Sequence, residues 1–200
     1  MHGDILLLTL DSADCFPRLE QSILAAIEAQ VAALAGTDEL AGAVITGTER
    51  AFAVGAEISE LASLTVTSAF EFARGGQRVM RAVANSAKPA VAAIRGYCMG
   101  GGLDLVLTCR ARIASHDAVF AHPGGSLGMI TGWGGTQRLP RLIGRTLALE
   151  MLITGCRLDA QEALDCGLVQ KISADPVSEA IDRVRTIAWT IDSEVNSTPG

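Results

Sequence analysis

The sequence predicts one α/β domain, and three observations lead there. Short apolar runs alternate with segments of helical periodicity, no repeat or linker divides the chain, and the length suits a single core. Two hundred residues bury roughly 70% of the unfolded surface in one compact unit. Hydrophobic residues make up 49% of the chain and charged ones 19%, which supplies a core and excludes global disorder. Ile5 to Leu10 reads as a buried strand, and Ser22 to Leu34 carries apolar residues at helical spacing until Gly36 stops it. Ala43 to Ile45 reads as a second strand, and Phe70 to Val83 as a second helix closing ahead of Lys88-Pro89. Ala90 to Ile94 is a third buried strand, Gly102 to Thr108 a short apolar helix, and Ala111 to Ala114 and Ala118 to Phe120 two further strands. Beyond Pro140 come four helical or strand-like pieces: Arg145 to Ile153, Ala160 to Cys166, Leu168 to Ile172 and Val177 to Thr190. Residues 1–190 are expected to form the domain and 191–200 a polar tail, frayed from Asp192 onward.

Composition narrows the ligand classes. A formal charge of −6 argues against nucleic acid and anionic membrane as partners, because both are held by summed positive field. The longest apolar stretch, Val91 to Cys109, is broken by Arg95 and Asp104, short of the roughly 18 uninterrupted residues of a membrane span. The start, Met1-His2-Gly3-Asp4, shows neither a basic leader nor an Arg-rich amphipathic segment, so a cytoplasmic address is expected. Five cysteines (Cys15, Cys98, Cys109, Cys156, Cys166) form no CxxC pair and sit in apolar surroundings. They read as small core hydrophobes, with no disulfide framework or metal site.

Two glycine-rich stretches carry potential chemistry. Gly100-Gly101-Gly102 lies between a strand and a helix, so unpaired helix N-terminal amides can face an anion or oxyanion at close range. The same triplet also serves simple close packing of strand on helix. Neither it nor Gly132-Trp133-Gly134-Gly135 fits GxGxxG, and no GxxxxGK[ST] occurs. Gly124-Gly125-Ser126-Leu127-Gly128 matches the GxSxG elbow of serine hydrolases. Against that, His2, His116 and His122 all precede Ser126, whereas the elbow fold supplies its histidine late.

Several ordered motifs carry a resemblance. Phe52-Ala53-Val54-Gly55-Ala56-Glu57-Ile58, then Lys88 through Gly102, then Phe120 to Leu139 with Gly134-Gly135-Thr136-Gln137-Arg138-Leu139, then Thr154-Gly155 through Gly167-Leu168-Val169 stand in one order. Together they closely resemble the enoyl-CoA hydratase/isomerase (crotonase) family over roughly residues 4 to 190. The resemblance implies a spiral of repeated strand-strand-helix units, related to the ClpP-like fold, and a trimer or pair of trimers. It also implies acyl-CoA or enoyl-CoA thioester substrates, with coenzyme A as part of the substrate and no separate cofactor or metal. By motif position, the backbone N–H groups of Ala56 and Gly101 would hold the enolate oxygen. Two such donors can be worth roughly 3–4 kcal/mol each. Gly55, Ala56, Glu57, Ile58 and Ser59 on one side, and Gly100, Gly101 and Gly124 on the other, would line the bound thioester.

Departures from the family pattern bear on the reaction. Hydratases of the family carry one glutamate three residues beyond the middle glycine and another just after the proline of the Phe120 strand. Here these positions hold Asp104 and Gly124. Asp104 keeps a carboxylate for general acid/base work, or alternatively only offsets a helix dipole. Gly124 moves no proton. His122, two residues earlier, offers an imidazole, the side chain suited to proton transfer near neutral pH, or else a packed histidine. Trp133 and Tyr97 are pocket candidates that read equally as packing, and Cys98 lacks an activating base in sequence. The loop after the first strand, Asp11 to Leu19, departs from the family's adenine-wrapping segment and is acidic. Arg18 and Lys88 remain as its candidate coenzyme A phosphate ligands. The chain also ends where family members usually continue into further helices. Two functions follow: enolate-stabilising hydratase/isomerase chemistry with Asp104 as the acid/base, or a degenerate homologue that binds acyl-CoA or supports a partner subunit without turnover.

Overall fold

The computed structural model describes residues 3–196, with side chains through residue 191. Its strands are β1 (Ile5–Thr9), β2 (Gly42–Thr46), β3 (Ala51–Ala53), β4 (Ala90–Ile94), β5 (Tyr97–Met99), β6 (Ala111–Ala114), β7 (Val119–Ala121), β8 (Arg157–Asp159) and β9 (Lys171–Ile172). Its α-helices are α1 (Gln21–Ala35), α2 (Ile58–Ala62), α3 (Val66–Ala84), α4 (Gly101–Val106), α5 (Gly135–Ile143), α6 (Arg145–Thr154), α7 (Ala160–Asp165) and α8 (Pro176–Asn196). A 3₁₀ turn spans Pro123–Leu127.

The strands form two sheets, one of order β1-β2-β4-β6-β9 and one of order β3-β5-β7-β8. Every pair is parallel except β7 with β8. Each turn of the chain gives one strand to each sheet, β2 then β3, β4 then β5, β6 then β7, which is the strand-strand-helix spiral of the crotonase fold. Burial follows the two-residue period of a strand covered on both faces. In β4, Ala90, Ala92 and Ile94 join the main core, while Val91 and Ala93 pack with Ala180 and Val184 of α8. That arrangement explains why the segment reads as one unbroken apolar run.

Several elements differ from the sequence expectation. β3, β5 and β8 have three residues each, too few to show a period. Helix α5 has no counterpart among the expected elements, and Pro140 stands inside it, where its missing N–H forgoes one bond in a nine-residue helix. Helix α3 starts at Val66, four residues before the expected Phe70, because Thr65 and Ser68 cap it reciprocally. The tail expectation meets helix first: α8 continues through Asn196, and residues 197–200 lie outside the described residues, as does His2. Among the described residues no helix is long and apolar enough to cross a membrane.

Buried Arg112, at the start of β6 and 4% exposed, ties the end of α4 to the later chain. Its guanidinium donates to Leu168 O at 2.6 Å and Cys109 O at 2.9 Å, and its amide to Gln170 Oε1 at 2.8 Å. Burial draws its pKa down, and carbonyl oxygens near a helix C-terminus stand in for a carboxylate partner.

Candidate active site

The site lies where the second sheet ends against α4. After β3 the chain turns at Gly55, φ +99°, and after β5 at Gly100, φ +53°, a region that favours glycine. These turns bring the two backbones together: a Cβ on Gly55 would lie 3.4 Å from Gly101 N, and one on Gly100 3.7 Å from Gly55 Cα. Gly101 is the first residue of α4, so its N–H has no partner within the helix. Among the described residues neither this N–H nor that of Ala56 has an acceptor. Gly102 packs α4 onto β3, since a Cβ there would meet Ala53 O at 2.5 Å.

Both amides border a cavity of about 460 Å³. Its walls are mostly apolar, with Ile58, Leu61 and Leu64 around α2, Phe72 on α3, and Met129 and Trp133 on the loop before α5. Gly55, Gly100, Asp104, His122 and Gly124 line the same space. The structure therefore brings together most of the residues singled out from sequence.

Asp104, on the first turn of α4, and His122, after β7, are 2% and 5% exposed. His122 Nε2 lies 3.4 Å from Asp104 Oδ1, and the Thr131 hydroxyl donates to Asp104 Oδ2. Gly135 closes over Oδ1, leaving no room even for a methyl group. Both carboxylate oxygens are thus engaged. The other imidazole nitrogen, Nδ1, faces Gly124: a Cβ at that residue would lie 3.9 Å from it and 2.9 Å from Met129 O. The backbone at Gly124 is pressed against Met129, whose N–H it also accepts at 2.9 Å. The Met129 carbonyl fills the space a side chain at Gly124 would take, and His122 borders it.

Glu57 and Ser59 do not line the cavity but hold its rim. Glu57 caps α2, accepting from Ser59 N at 3.3 Å and Ser59 Oγ at 3.1 Å, and these bonds hold its carboxyl below the ordinary range. Arg18 Nε reaches Glu57 Oε2 at 3.1 Å while its Nη1 donates to Asp14 Oδ2 at 2.9 Å. The Arg18 bond, with help from the Phe16 amide and Ser12, draws the Asp14 carboxyl down to about 2. The acidic loop neutralises its own arginine, so Arg18 stands paired with carboxylates rather than as a free phosphate ligand. Lys88 stands apart from the cavity: its ammonium donates to Thr37 O at 2.6 Å, ahead of the first residue of β4.

The rival readings fare differently. Ser126 lies within the 3₁₀ turn, donates to Pro123 O at 2.7 Å, and occupies no strand-to-helix elbow, so the hydrolase pattern is coincidental. Cys98 is fully buried in β5, and burial pushes its thiol well above the ordinary range, which fits the packing role. Tyr97 is exposed near Phe16, away from the cavity. Trp133, in contrast, both packs and lines the pocket. Thr131 gave no sequence signal and Gly135 only a motif without a role, since their contacts with Asp104 arise only where the Gly128–Gly135 loop folds back over α4. Among the described residues no cluster of three or more His, Cys, Asp or Glu suits a metal ion.

Comparison with known proteins agrees with this architecture. The sequence profile of the enoyl-CoA hydratase/isomerase family matches residues 3–196. A probable mitochondrial enoyl-CoA hydratase of Dictyostelium discoideum is 36% identical over 191 residues, covering 96% of this chain and 68% of that protein. A short-chain-enoyl-CoA hydratase of Clostridium acetobutylicum is 33% identical over 193 residues, covering 96% and 73%. The crystal structure of an enoyl-CoA hydratase from Bacillus anthracis superimposes with a TM-score of 0.84 at 32% identity, over 96% of this chain and 74% of that one. An enoyl-CoA hydratase from Thermoplasma volcanium gives 0.83 at 33%, over 100% and 76%. The ordered glycine motifs, the two-sheet spiral and these relatives converge: the chain belongs to the enoyl-CoA hydratase/isomerase family of enzymes.

Proposed function

We propose that the protein hydrates an enoyl-CoA thioester, with the Ala56 and Gly101 amides holding the enolate oxygen and His122 moving the proton. The observation that carries this reading is the meeting, in one cavity, of two unpartnered amides and a buried imidazole–carboxylate pair. The substrate class is supported by the family and by the hydratase names of its relatives. In the scheme, His122 Nδ1 takes a proton from water as the oxygen attacks the β-carbon. The π electrons pass to the thioester oxygen, where preorganised donors stabilise the enolate. The enolate then collapses, and the same proton returns from the imidazolium to the α-carbon. One water is added and no proton is left over, so a single acid/base group suffices where the family uses two glutamates. Asp104, engaged by Thr131, is the positioning group that orients the ring through Nε2.

Titration with acetoacetyl-CoA tests the amide pair, through the near-ultraviolet band of its enolate. Hydration of crotonyl-CoA tests the proton transfer: His122→Gln is expected to lower kcat by 10²- to 10⁴-fold while the enolate band persists. A full-rate His122→Gln enzyme overturns this assignment. A second reading, acyl-CoA binding without turnover, is favoured by the missing carboxylate at Gly124 and the pairing of Arg18 with Asp14 and Glu57. An enolate band without hydration by the wild-type protein selects it. Assembly as a trimer or a pair of trimers, the habit of the family, is part of the proposal and is read by sedimentation velocity.

A further inference from the structure

We infer that Trp133 sets the depth of the acyl pocket and restricts the enzyme to short acyl groups, an inference that rests on the thioester reading above. Trp133 is 4% exposed and bridges two helices at positions where neither carries a side chain. A Cβ on Gly101 would lie 2.9 Å from its Cε3, and one on Gly76 of α3 would lie 2.5 Å from its Cε2. Glycine inside a nineteen-residue helix is unfavourable. At Gly76 the indole occupies the space a side chain would need, whereas neighbouring Gly75 faces open space.

The indole and the backbone that carries it are also held by contacts on several sides. Phe72 packs against it with ring centroids 5.3 Å apart, Arg138 holds its carbonyl at 3.2 Å, and Gln77 holds the preceding carbonyl of Gly132 at 2.8 Å. Its benzene edge lies over Gly101, whose amide would hold the thioester oxygen. A substrate with its reactive carbons between that amide and His122 therefore directs the rest of its acyl chain at the Trp133–Phe72 wall.

The test is calorimetric binding of saturated acyl-CoA thioesters from butyryl to decanoyl, which needs no turnover. Each methylene that finds apolar cover raises affinity by about fourfold. In the wild type this rise is expected to stop after the shortest members. In Trp133→Leu it should continue, gaining on the order of tenfold between hexanoyl and octanoyl. Gly76→Ala should displace the indole into the pocket and tighten the limit, with Gly75→Ala as the control. Trp133→Phe, which keeps a ring, guards against a leucine variant that fails to fold, and is expected to fall between the two. A wild-type affinity that climbs steadily to decanoyl overturns the inference, as does an unchanged limit in folded Trp133 variants. Absence of binding at every length instead overturns the thioester reading, and the inference with it.

Discussion

Gly135→Ala isolates the Asp104–His122 contact with one methyl group. Gly135 opens α5, and alanine in a helix is ordinarily favourable by up to about 1 kcal/mol. Here the new Cβ falls inside contact distance of Asp104 Oδ1, 2.7 Å from Thr131 Cγ2 and 3.3 Å from Asp104 Cγ. Ordinary van der Waals separation requires the carboxylate to retreat by about an ångström. Overpacking of this kind costs about 1–3 kcal/mol, so after the helix gain a net loss of up to about 2 kcal/mol is expected. The larger effect is functional. Asp104 Oδ1 already stands 3.4 Å from His122 Nε2, and a further ångström ends the hydrogen bond. A misplacement of that size lowers activity by about 10²-fold. Crotonyl-CoA hydration and urea unfolding, measured side by side with Gly75→Ala, give both quantities. A Gly135→Ala protein as active and as stable as the wild type would show that the carboxylate is not confined and that the pair does not direct the imidazole.

Three further outcomes are expected. The Asp14 carboxyl should titrate near pH 2 by NMR, and Arg18→Ala should move its midpoint up towards the ordinary value. Because the folded pKa is depressed, the stability it contributes is complete above the unfolded value of about 3.9 and is lost as the pH falls through 2. A wild-type midpoint at the unfolded value would refute the pairing. At pH 8, iodoacetamide should label exposed Cys15 but spare Cys98 and Cys109 until denaturant is added, since burial pushes the Cys109 thiol up to about 12 and that of Cys98 well above the ordinary range. Native labelling of Cys98 contradicts its packing role. Arg112→Met leaves the Leu168 and Cys109 carbonyls without their donor and should lower stability by about 2–4 kcal/mol in urea titrations with little change in slope. A loss under about 0.5 kcal/mol would mean those oxygens find other donors.

Sequence by itself determined the α/β class and the family. Its strands β1, β2 and β4 are apolar runs long enough to declare themselves, and the spiral topology followed from the resemblance its ordered motifs carry. The glycines at 55, 100 and 101 were equally legible, because left-handed turns and close backbone approach require that residue type locally. Tertiary structure alone decided what each polar side chain does. Lys88 and Arg18 look alike in sequence as free cations, yet one is tied to Thr37 and the other to Asp14 and Glu57. Asp104 reads as an acid/base by position, but Thr131, Gly135 and His122 enclose it, which supports the positioning role proposed for it. Those contacts join residues up to 31 positions apart in the chain, and nothing in the local pattern encodes which turn of a spiral will face which. Backbone conformation is a property of short segments, whereas the environment of a charge is a property of the packed whole.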